Sequence, residues 1–399
     1  MPYYIGDVIR KAEDLIARTP GQFAGSNIDV FTGKAVESID TEGGRVKTSD
    51  GAAVPYDNLV IATGNRAIRP DIPGAYLPGV FVLKDLSDAI AIKRWLVEKG
   101  CRRAVIVGAG FIGVELSEGF RRRGLETTML HRGRLPVARF DDELSRAVRD
   151  ELVKNGVSFV ERASVTAVEG GSGDELRVVT EDREYAADIV VFGVGVKPET
   201  TLAREAGIAI GPSGAVKVNF SQRTNREEIY AVGDCAEAYH RVRKDWVNIP
   251  LGDIANKQGR VAGANLGGSP RTFPGIVGGQ SFKVFGLEAA ATGIEEREAL
   301  TCGYSPATHL MWGTFRTPTL EGEANMGIKL VADRSTGRLL GAQGISNVGA
   351  VSRINTLSVC LWTAMTLDEI GYLDLAYSPP YGGAWDIIHR AAQRLLRDL

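Results

Sequence analysis

The feature that most constrains this 399-residue chain is a strand–turn–helix–strand pattern over residues 102–134. The apolar run 104–107 has the composition of a strand buried on both faces. It leads into a GxGxxG turn at residues 108–113, a helical segment that stops at Gly124, and a second strand-like run. In such a turn the first glycine permits the tight exit from the strand, the second lets a dinucleotide's phosphates approach, and the third allows close helix–strand packing. Glycines also serve ordinary tight turns, but a strand, a helix and a second strand in step favour a dinucleotide-binding unit.

The residues after the second strand bear on which nicotinamide nucleotide is bound. An NAD site has Asp or Glu about 20 residues after the glycines, where it accepts a hydrogen bond from the ribose 2′-OH. This chain has His131-Arg132-Gly133-Arg134 there. Because cationic groups suit a 2′-phosphate, His131 and Arg132 favour NADPH, with NADH as the alternative. The other interpretation is a solvated turn that happens to be basic.

Composition excludes several classes of protein. A chain of 399 residues is too long for one ordinary core, so two or three domains are expected. A hydrophobic content of 44% and a charged content of 24% are typical of globular proteins. The net charge of −2 gives no reason to expect a nucleic acid partner. No apolar run approaches the ~20 residues that span a bilayer, and the N-terminus lacks a secretory signal, so no membrane partner and a cytoplasmic location are predicted.

The cysteines and histidines give no support for a metal site. No CxxC or metal-ligand spacing occurs, and the four histidines are scattered. Without an export signal the thiols are expected to be reduced. The four cysteines are Cys101, Cys235, Cys302 and Cys360.

Two further strand–turn patterns lie outside the glycine unit. Residues 56–64 are typical of a buried strand that leads into the small-residue turn Ala62-Thr63-Gly64. Such a turn lets the backbone closely approach another group, although an ordinary tight turn is the default interpretation for this stretch alone. Residues 229–236 form a β-branched and aromatic run that ends at Gly233-Asp234. Asp234 is either a helix N-cap or a hydrogen-bond partner of a ligand hydroxyl at the carboxyl end of a strand.

Apolar spacing predicts the remaining elements. Residues 6–17 are predicted to form an amphipathic helix. The other predictions are strands at 28–31, 45–48, 53–55, 176–180, 188–194, 326–331 and 339–345, and helices at 142–155, 351–364, after a capping box at 366–369, and from Trp385.

Three nucleotide-type turns in this order resemble the pyridine nucleotide-disulfide oxidoreductase family of two-dinucleotide-binding flavoproteins. The resemblance is strongest to the branch of CoA-disulfide reductases, NADH oxidases and NADH peroxidases, and His131-Arg132 resembles its NADPH-using members. The motifs that carry it are residues 56–64, 108–113, 229–236, 251–260, 279–285 and the Tyr377-x-Pro-Pro segment before Trp385-Asp386.

The resemblance implies an α/β fold with a defined domain order. We expect an FAD/NAD(P)-binding two-domain Rossmann-like fold, with the FAD domain incomplete, followed by a C-terminal α+β dimerisation domain that forms a homodimer. The implied domains are 1–80 (FAD-binding, first part), 81–192 (NAD(P)-binding), 193–275 (FAD-binding, second part) and 276–399 (dimerisation).

The resemblance also implies the site residues. FAD is expected at Ala62, Thr63, Gly64 and Asp234, and NADPH at Gly108, Gly110 and Gly113. Tyr377 is expected to reach the partner's active site, or else to belong only to a rigid turn. Phe111 takes the place of a family aromatic residue near the flavin, with simple packing as the equal alternative. The remaining implied cofactor positions are His131, Arg132, Gly195, Gly233 and Ala255.

The chain departs from the family pattern at its beginning. Members start with a βαβ unit of roughly 30 residues or more, whose own GxGxxG binds the ADP half of FAD, and they carry a redox cysteine that would fall just upstream of Met1. Cys235 belongs to the Gly-Asp turn and is not interpreted as that nucleophile. The chain is either a shortened form of a longer protein or a natural remnant that holds FAD poorly. The first is favoured, because a sheet without its central strand exposes apolar surface and unpaired backbone groups.

The expected function follows from the resemblance. It is an FAD-dependent NAD(P)H oxidoreductase that passes hydride from NADPH to flavin and on to a disulfide or persulfide acceptor such as CoA disulfide. One alternative acceptor is O2 or peroxide. A second alternative is a non-catalytic NADPH-binding remnant.

Overall fold

The computed structural model describes residues 1–171, 173, 175–316 and 325–399. The strands are β1 (Val36–Asp40), β2 (Arg45–Thr48), β3 (Ala53–Pro55), β4 (Leu59–Ile61), β5 (Asn65–Ala67), β6 (Val80–Val82), β7 (Arg103–Val107), β8 (Glu126–Leu130), β9 (Val157–Val160), β10 (Val165–Gly170), β11 (Leu176–Thr180), β12 (Glu184–Ala187), β13 (Ile189–Phe192), β14 (Val196–Pro198), β15 (Ile229–Ala231), β16 (Ala238–His240), β17 (Asp245–Val247), β18 (Gln280–Val284), β19 (Leu287–Gly293), β20 (Pro306–Thr314), β21 (Asn325–Asp333) and β22 (Leu339–Ser346). The helices are α1 (Pro2–Ile5), α2 (Pro20–Ala24), α3 (Leu86–Glu98), α4 (Phe111–Arg122), α5 (Asp142–Lys154), α6 (Thr201–Glu205), α7 (Gly252–Leu266), α8 (Glu296–Thr301), α9 (Ala350–Trp362), α10 (Leu367–Ile370) and α11 (Ile387–Arg397).

Two compact units make up the described chain. The first unit comprises Met1–Arg10, Ile68–Gly195 and Val277–Leu399, and the second comprises Lys11–Ala67 and Val196–Ile276. The four-part domain division expected from the family stays a prediction. In the part of the chain that the structure describes, no helix is both long enough and apolar enough to cross a membrane.

A parallel five-stranded sheet lies in the first unit. Its strand order is β6-β13-β7-β8-β9, and every neighbouring pair is parallel. All four residues of β13 are buried, as are the last four of β7. Strands of a parallel sheet are covered on both faces and therefore read as continuous apolar runs, which is the pattern predicted for these strands. The helices α4 and α5 follow β7 and β8 in the chain.

An antiparallel sheet forms the C-terminal part of the first unit. Its order is β18-β19-β22-β21-β20. All of β22 is buried, and so is β21 apart from its first residue. Helix α9 packs on β19 and β22, while α11 packs on β20 and β21. The predicted capping box is confirmed: the Glu369 carboxylate accepts from the Thr366 N–H at 2.7 Å, and the Thr366 hydroxyl accepts from the Glu369 N–H at 3.4 Å.

The second unit is built from small sheets. Strands β4 and β15 form a parallel pair, β5 pairs with β14, β16 pairs with β17, and β1, β2 and β3 form an antiparallel sheet. Ile61, Ile229 and Ala231 from the parallel pair lie in one buried cluster. Because β4 and β15 are parallel, their carboxyl ends lie at the same edge, and the turns that follow them are neighbours.

Two sequence predictions near the N-terminus are wrong. Residues 6–17 do not form a helix: Asp7 is left-handed (φ 59°), and only a 3₁₀ turn at Ala12–Leu15 forms. The apolar positions of that segment are poorly covered, since Val8 is 50% exposed and Ile16 49% exposed while Ile9, Ala12 and Leu15 are only half-buried, and a short helix depends on burying its apolar face. No strand forms at residues 28–31, where Phe31 is 72% exposed.

The first residues of the chain instead pack on α4. A Cβ added to Gly6 would lie 2.7 Å from the Gly119 Cα, so α1 and α4 touch through glycine backbone. Asp7 then forms ion pairs with Lys93 of α3 at 2.7 Å and with Arg123. The left-handed Asp7 therefore turns the chain so that its carboxylate reaches both helices.

Candidate functional site

The glycine turn after β7 is shaped by two close backbone approaches. Gly108 is left-handed (φ 106°), and a Cβ there would collide with the carbonyl of Gly193. A Cβ on Gly113 would collide with the carbonyl of Gly108. A Cβ on Gly110 would meet nothing within 4 Å. The packing of the protein therefore requires Gly108 and Gly113 to be glycine, whereas Gly110 borders open space.

Helix α4 begins directly at this open position. Gly110 is its N-cap, and no side chain caps the helix. The first N–H groups of a helix have no intrahelical partner, and together with the helix dipole they favour an anion. The open space at Gly110 is what a dinucleotide pyrophosphate needs to approach these donors, so the residues fit a nicotinamide nucleotide.

A second glycine turn lies beside the first. The Gly193 N–H donates to the carbonyl of Val107 at 2.8 Å, which holds the ends of β13 and β7 together. Gly195 is left-handed (φ 113°), and its carbonyl accepts from the Ile68 N–H at 2.9 Å. The structure thus brings Gly195 to the edge of the sheet that carries the GxGxxG turn.

The three basic side chains of the segment after β8 differ in burial and in ion pairing. Burial lowers the pKa of His131, and the charge of Arg132 lowers it further, so the imidazole is neutral at pH 7. Arg134 forms an ion pair with Asp142 at the start of α5. Arg132 is exposed, and in the described part of the chain it has no ion pair. Arg132 is therefore the cation that this segment offers to a ligand.

Val137 is a site feature that sequence reasoning missed. It is left-handed (φ 51°) and only 3% exposed, and its N–H donates to the carbonyl of Ala109 at 2.8 Å. A β-branched residue in this region is strained, and such strain persists only where the surroundings enforce it. Val137 ties the segment after β8 to the GxGxxG turn. No local sequence signal marks it.

Phe111 and the motif at 279–285 meet in the first unit. The ring centroids of Phe111 and Phe282 lie 5.2 Å apart, and those of Phe140 and Phe282 lie 5.8 Å apart. The buried Glu118 of α4 accepts a hydrogen bond from the Phe285 N–H at 2.7 Å. Phe111 therefore packs against Phe282, and its place near the flavin stays a prediction. The motif at 279–285 packs on α4.

The second unit gathers the residues implied for FAD. Gly64 (φ 69°) follows β4, and Gly233 (φ 78°) follows β15. The Asn65 side-chain amide donates to the Asp234 carboxylate at 2.6 Å. Asp234 lies inside the 3₁₀ turn Gly233–Cys235 rather than at a helix N-cap. A Cβ on Gly233 would lie 3.5 Å from the Ala255 Cβ, so Ala62, Thr63, Gly64, Gly233, Asp234 and Ala255 belong to one edge.

This edge fits part of a flavin nucleotide site. The side-chain oxygen of Asn65 is buried and has no hydrogen-bond partner among the described residues. A Cβ on Gly64 would meet nothing within 4 Å. Buried polar groups are normally satisfied, so a polar ligand group at this edge would complete the site. Among the described strands β4 pairs only with β15, and Val60 of β4 is 38% exposed. The residues present thus fit one side of the FAD site implied by the family.

Tyr377 lies far from these glycine turns in sequence. Tyr377 is 59% exposed and enters a turn in which the Tyr381 N–H donates to the carbonyl of Ser378 at 2.9 Å. The turn is observed, and a role for Tyr377 in a partner's site stays a prediction.

The thiols differ in burial. Cys235 and Cys360 are buried, and Cys101 and Cys302 are half-buried. Burial raises the pKa of Cys360 to about 11, so this thiol is protonated at neutral pH. Within residues 1–171, 173, 175–316 and 325–399, no group of three or more His, Cys, Asp or Glu side chains could hold a metal ion.

Known proteins are similar to this chain over most of its length. An NAD(P)H sulfur oxidoreductase (CoA-dependent) from Pyrococcus abyssi is 35% identical over 386 residues, covering 96% of this chain and 86% of the relative. An NADH oxidase from Methanocaldococcus jannaschii is 29% identical over 411 residues, covering 100% of this chain and 90% of the relative. The solved structure of an NAD-dependent persulfide reductase from A. fulgidus has a TM-score of 0.96 and 34% identity, covering 100% of this chain and 75% of that one.

Family models cover both halves of the chain. The pyridine nucleotide-disulphide oxidoreductase model matches residues 5–259, and the dimerisation domain of the same family matches residues 280–387. The predicted family, branch and fold class are confirmed, and the predicted cofactors, FAD and NAD(P)H, are those of the family. The chain belongs to the pyridine nucleotide-disulphide oxidoreductase family, in the branch of the CoA-dependent sulfur oxidoreductases and NADH oxidases.

Proposed function

We propose that this protein is an FAD-dependent NAD(P)H oxidoreductase that uses NADPH to reduce a disulfide or persulfide acceptor such as CoA disulfide. The observation that carries the proposal is the open Gly110 position at the uncapped start of α4, followed by the exposed Arg132. FAD, when bound, supplies the chemistry that accepts hydride from the nicotinamide and returns electrons to an acceptor. The names of the Pyrococcus and A. fulgidus relatives support a sulfur acceptor.

The chain's own residues bind and orient the nicotinamide nucleotide. The N–H groups at the start of α4 hold the pyrophosphate, and Gly110 leaves room for it. Arg132 holds the 2′-phosphate through charge-assisted hydrogen bonds. The neutral His131 shapes the segment, since its ring packs 6.3 Å from Phe159. Gly195 forms the neighbouring wall of the site.

The second unit holds FAD through the edge formed after β4 and β15. Gly64 and Gly233 let the backbone approach the cofactor, while Asp234 and Asn65 supply polar contacts. Asn65 orients the Asp234 carboxylate through their 2.6 Å hydrogen bond. The chain also forms a homodimer through residues 280–387, in which Tyr377 reaches the partner's site; the match to the dimerisation domain supports this step.

The main proposal and its alternatives differ in the electron acceptor. A matched NADH oxidase supports O2 or peroxide as a second candidate acceptor. A third candidate is a protein that binds NADPH at the GxGxxG turn without catalysis.

Flavin reduction and reoxidation test the proposal as a whole. Protein is mixed with FAD, freed of unbound flavin by gel filtration and reduced anaerobically with NADPH while the ~450 nm flavin band is followed. We expect retained flavin, bleaching by NADPH and recovery with CoA disulfide or polysulfide. Recovery with O2 or peroxide alone would favour the oxidase candidate. Protein that retains no flavin and oxidises no NADPH with any acceptor would leave only nucleotide binding.

Two alanine substitutions distinguish binding from folding in the glycine turn. Gly110→Ala places a methyl group in open space at the N-cap of α4, so the free energy of unfolding should fall by no more than about 1 kcal/mol, the usual cost of an alanine cap. NADPH binding should weaken about tenfold or more because the phosphate approach is blocked. Gly113→Ala should destabilise the protein by about 1–3 kcal/mol through the clash with Gly108. Calorimetric unfolding and NADPH titration measure both. Unchanged NADPH affinity in Gly110→Ala contradicts the site.

Two arginine substitutions test the source of the NADPH preference. Arg132→Ala should weaken NADPH binding about tenfold, because a hydrogen bond to a charged group is lost, and should leave NADH binding within about twofold. Arg134→Ala is the matched control, since Arg134 is already paired with Asp142 and exposed ion pairs contribute little. Dissociation constants for both nucleotides provide the comparison. Equal effects of Arg132→Ala on NADPH and NADH would show that the basic segment is only a solvated turn.

A further inference from the structure

The segment from His131 to Phe140, here called the recognition segment, is anchored at its start by the nucleotide-binding sheet. The His131 N–H donates to the carbonyl of Val160 at 2.9 Å, and the Gly133 carbonyl accepts from the Arg162 N–H at 3.0 Å. In the middle, Val137 donates to Ala109. These contacts hold the start and the middle of the recognition segment. Its end, near Phe140, is held by contacts with other parts of the first unit.

A buried lysine from the C-terminal sheet lies at that end. Lys329 of β21 is 4% exposed, and its Nζ lies 2.9 Å from the carboxylate of Asp141, the residue after the recognition segment. Its Nζ also lies 3.2 Å from the Glu143 carboxylate and 3.9 Å from Glu296. The lysine therefore joins the start of α5 to the C-terminal sheet.

Gln343 makes the same connection with hydrogen bonds. Its side-chain oxygen accepts from the Asp141 N–H at 2.8 Å, and its amide donates to the Asp141 carboxylate at 3.1 Å. Asp141 is thus held through backbone and side chain together. A carboxylate fixed on both sides cannot move without breaking contacts to β21 and β22.

Neighbouring residues of the segment reach the same part of the molecule. The Arg139 guanidinium donates to the carbonyl of Gly293 at 2.5 Å and lies 3.6 Å from Glu298. Phe140 packs edge-on against Phe282. The last residues of the recognition segment therefore contact β18, β19 and α8, and Asp141, which follows them, contacts β21 and β22.

The charges persist at neutral pH. Burial alone would lower the pKa of Lys329, but hydrogen bonding and charge from Asp141 and Glu143 outweigh it and hold the pKa above its usual value. Burial alone would raise the pKa of Glu143, but hydrogen bonding and the charge of Lys329 hold it below its usual value. Replacing a buried ion pair by apolar side chains is often neutral or stabilising, so such a pair is weak evidence for stability, and fixing a geometry is its better-supported role.

We infer that Lys329 is a positioning residue for nucleotide recognition, because it pins Asp141 to the C-terminal sheet and thereby holds the recognition segment where Arg132 meets the 2′-phosphate. This inference rests on the proposed function for the role of Arg132. The anchoring itself does not. Lys329 contacts no ligand and acts through Asp141, so its loss affects discrimination between NADPH and NADH more than binding of the shared parts.

The test compares Lys329→Met with Lys154→Met in the full chain. Methionine keeps an unbranched side chain of similar length and removes the charge. Lys154 is the matched control, because it lies at the far end of α5 with a side chain 74% exposed. Hydrogen–deuterium exchange of residues 131–140 in nucleotide-free protein, and dissociation constants for NADPH and NADH, are measured for wild type and both variants.

We expect faster exchange of the recognition segment in Lys329→Met and about a fivefold or greater loss of NADPH affinity, a typical coupling between sites, with NADH affinity within about twofold. Lys154→Met should match wild type. Adding Asp141→Asn to Lys329→Met neutralises one of the three carboxylates that lose the lysine and should restore part of the stability, but not the discrimination. If Lys329→Met instead lowers only the melting temperature, or weakens both nucleotides equally, the inference is wrong. A wild type that does not prefer NADPH while exchange still rises in Lys329→Met defeats the proposed cofactor preference and leaves the anchoring intact.

Discussion

The close approach of α4 to the end of β7 is the constraint on which the nucleotide site depends. Because a Cβ at Gly113 would collide with Gly108 and one at Gly108 with Gly193, three glycines bring strand, helix and the neighbouring turn together at backbone distance. This packing aims the uncapped start of α4 at the edge of the sheet, where open α/β sheets bind ligands. The glycine that packing does not require, Gly110, is the one left for the ligand.

Burial and ion pairing, rather than the number of basic residues, determine which side chains at the site are charged and available to a ligand. His131 is neutral because it is desolvated, and Arg134 is taken by Asp142. Arg132 is exposed and, in the described part of the chain, forms no ion pair. The buried Lys329 serves a different purpose, since it faces carboxylates from α5 and α8 and connects the recognition segment to the C-terminal sheet.

Local motifs predicted most of the fold, because strand composition, glycine turns and caps are encoded within a few residues. Local sequence correctly predicts the strand, turn and helix of the GxGxxG unit, the strands β21 and β22, and the Thr366 capping box. The helix predicted at 6–17 was wrong, since an amphipathic pattern forms a helix only if another surface covers it, and Asp7 turns the chain away. The roles of Val137 and Lys329 are not predictable from local sequence, because they arise from contacts between residues far apart in the chain.

The central claim is that the start of α4 and Arg132 together bind NADPH. A crystal structure of the full chain grown with NADPH tests it most directly. The account predicts electron density for the pyrophosphate at Gly110 and the first N–H groups of α4, with the 2′-phosphate within hydrogen-bond distance of Arg132. A nucleotide bound elsewhere, or a 2′-phosphate facing solvent away from Arg132, would contradict it.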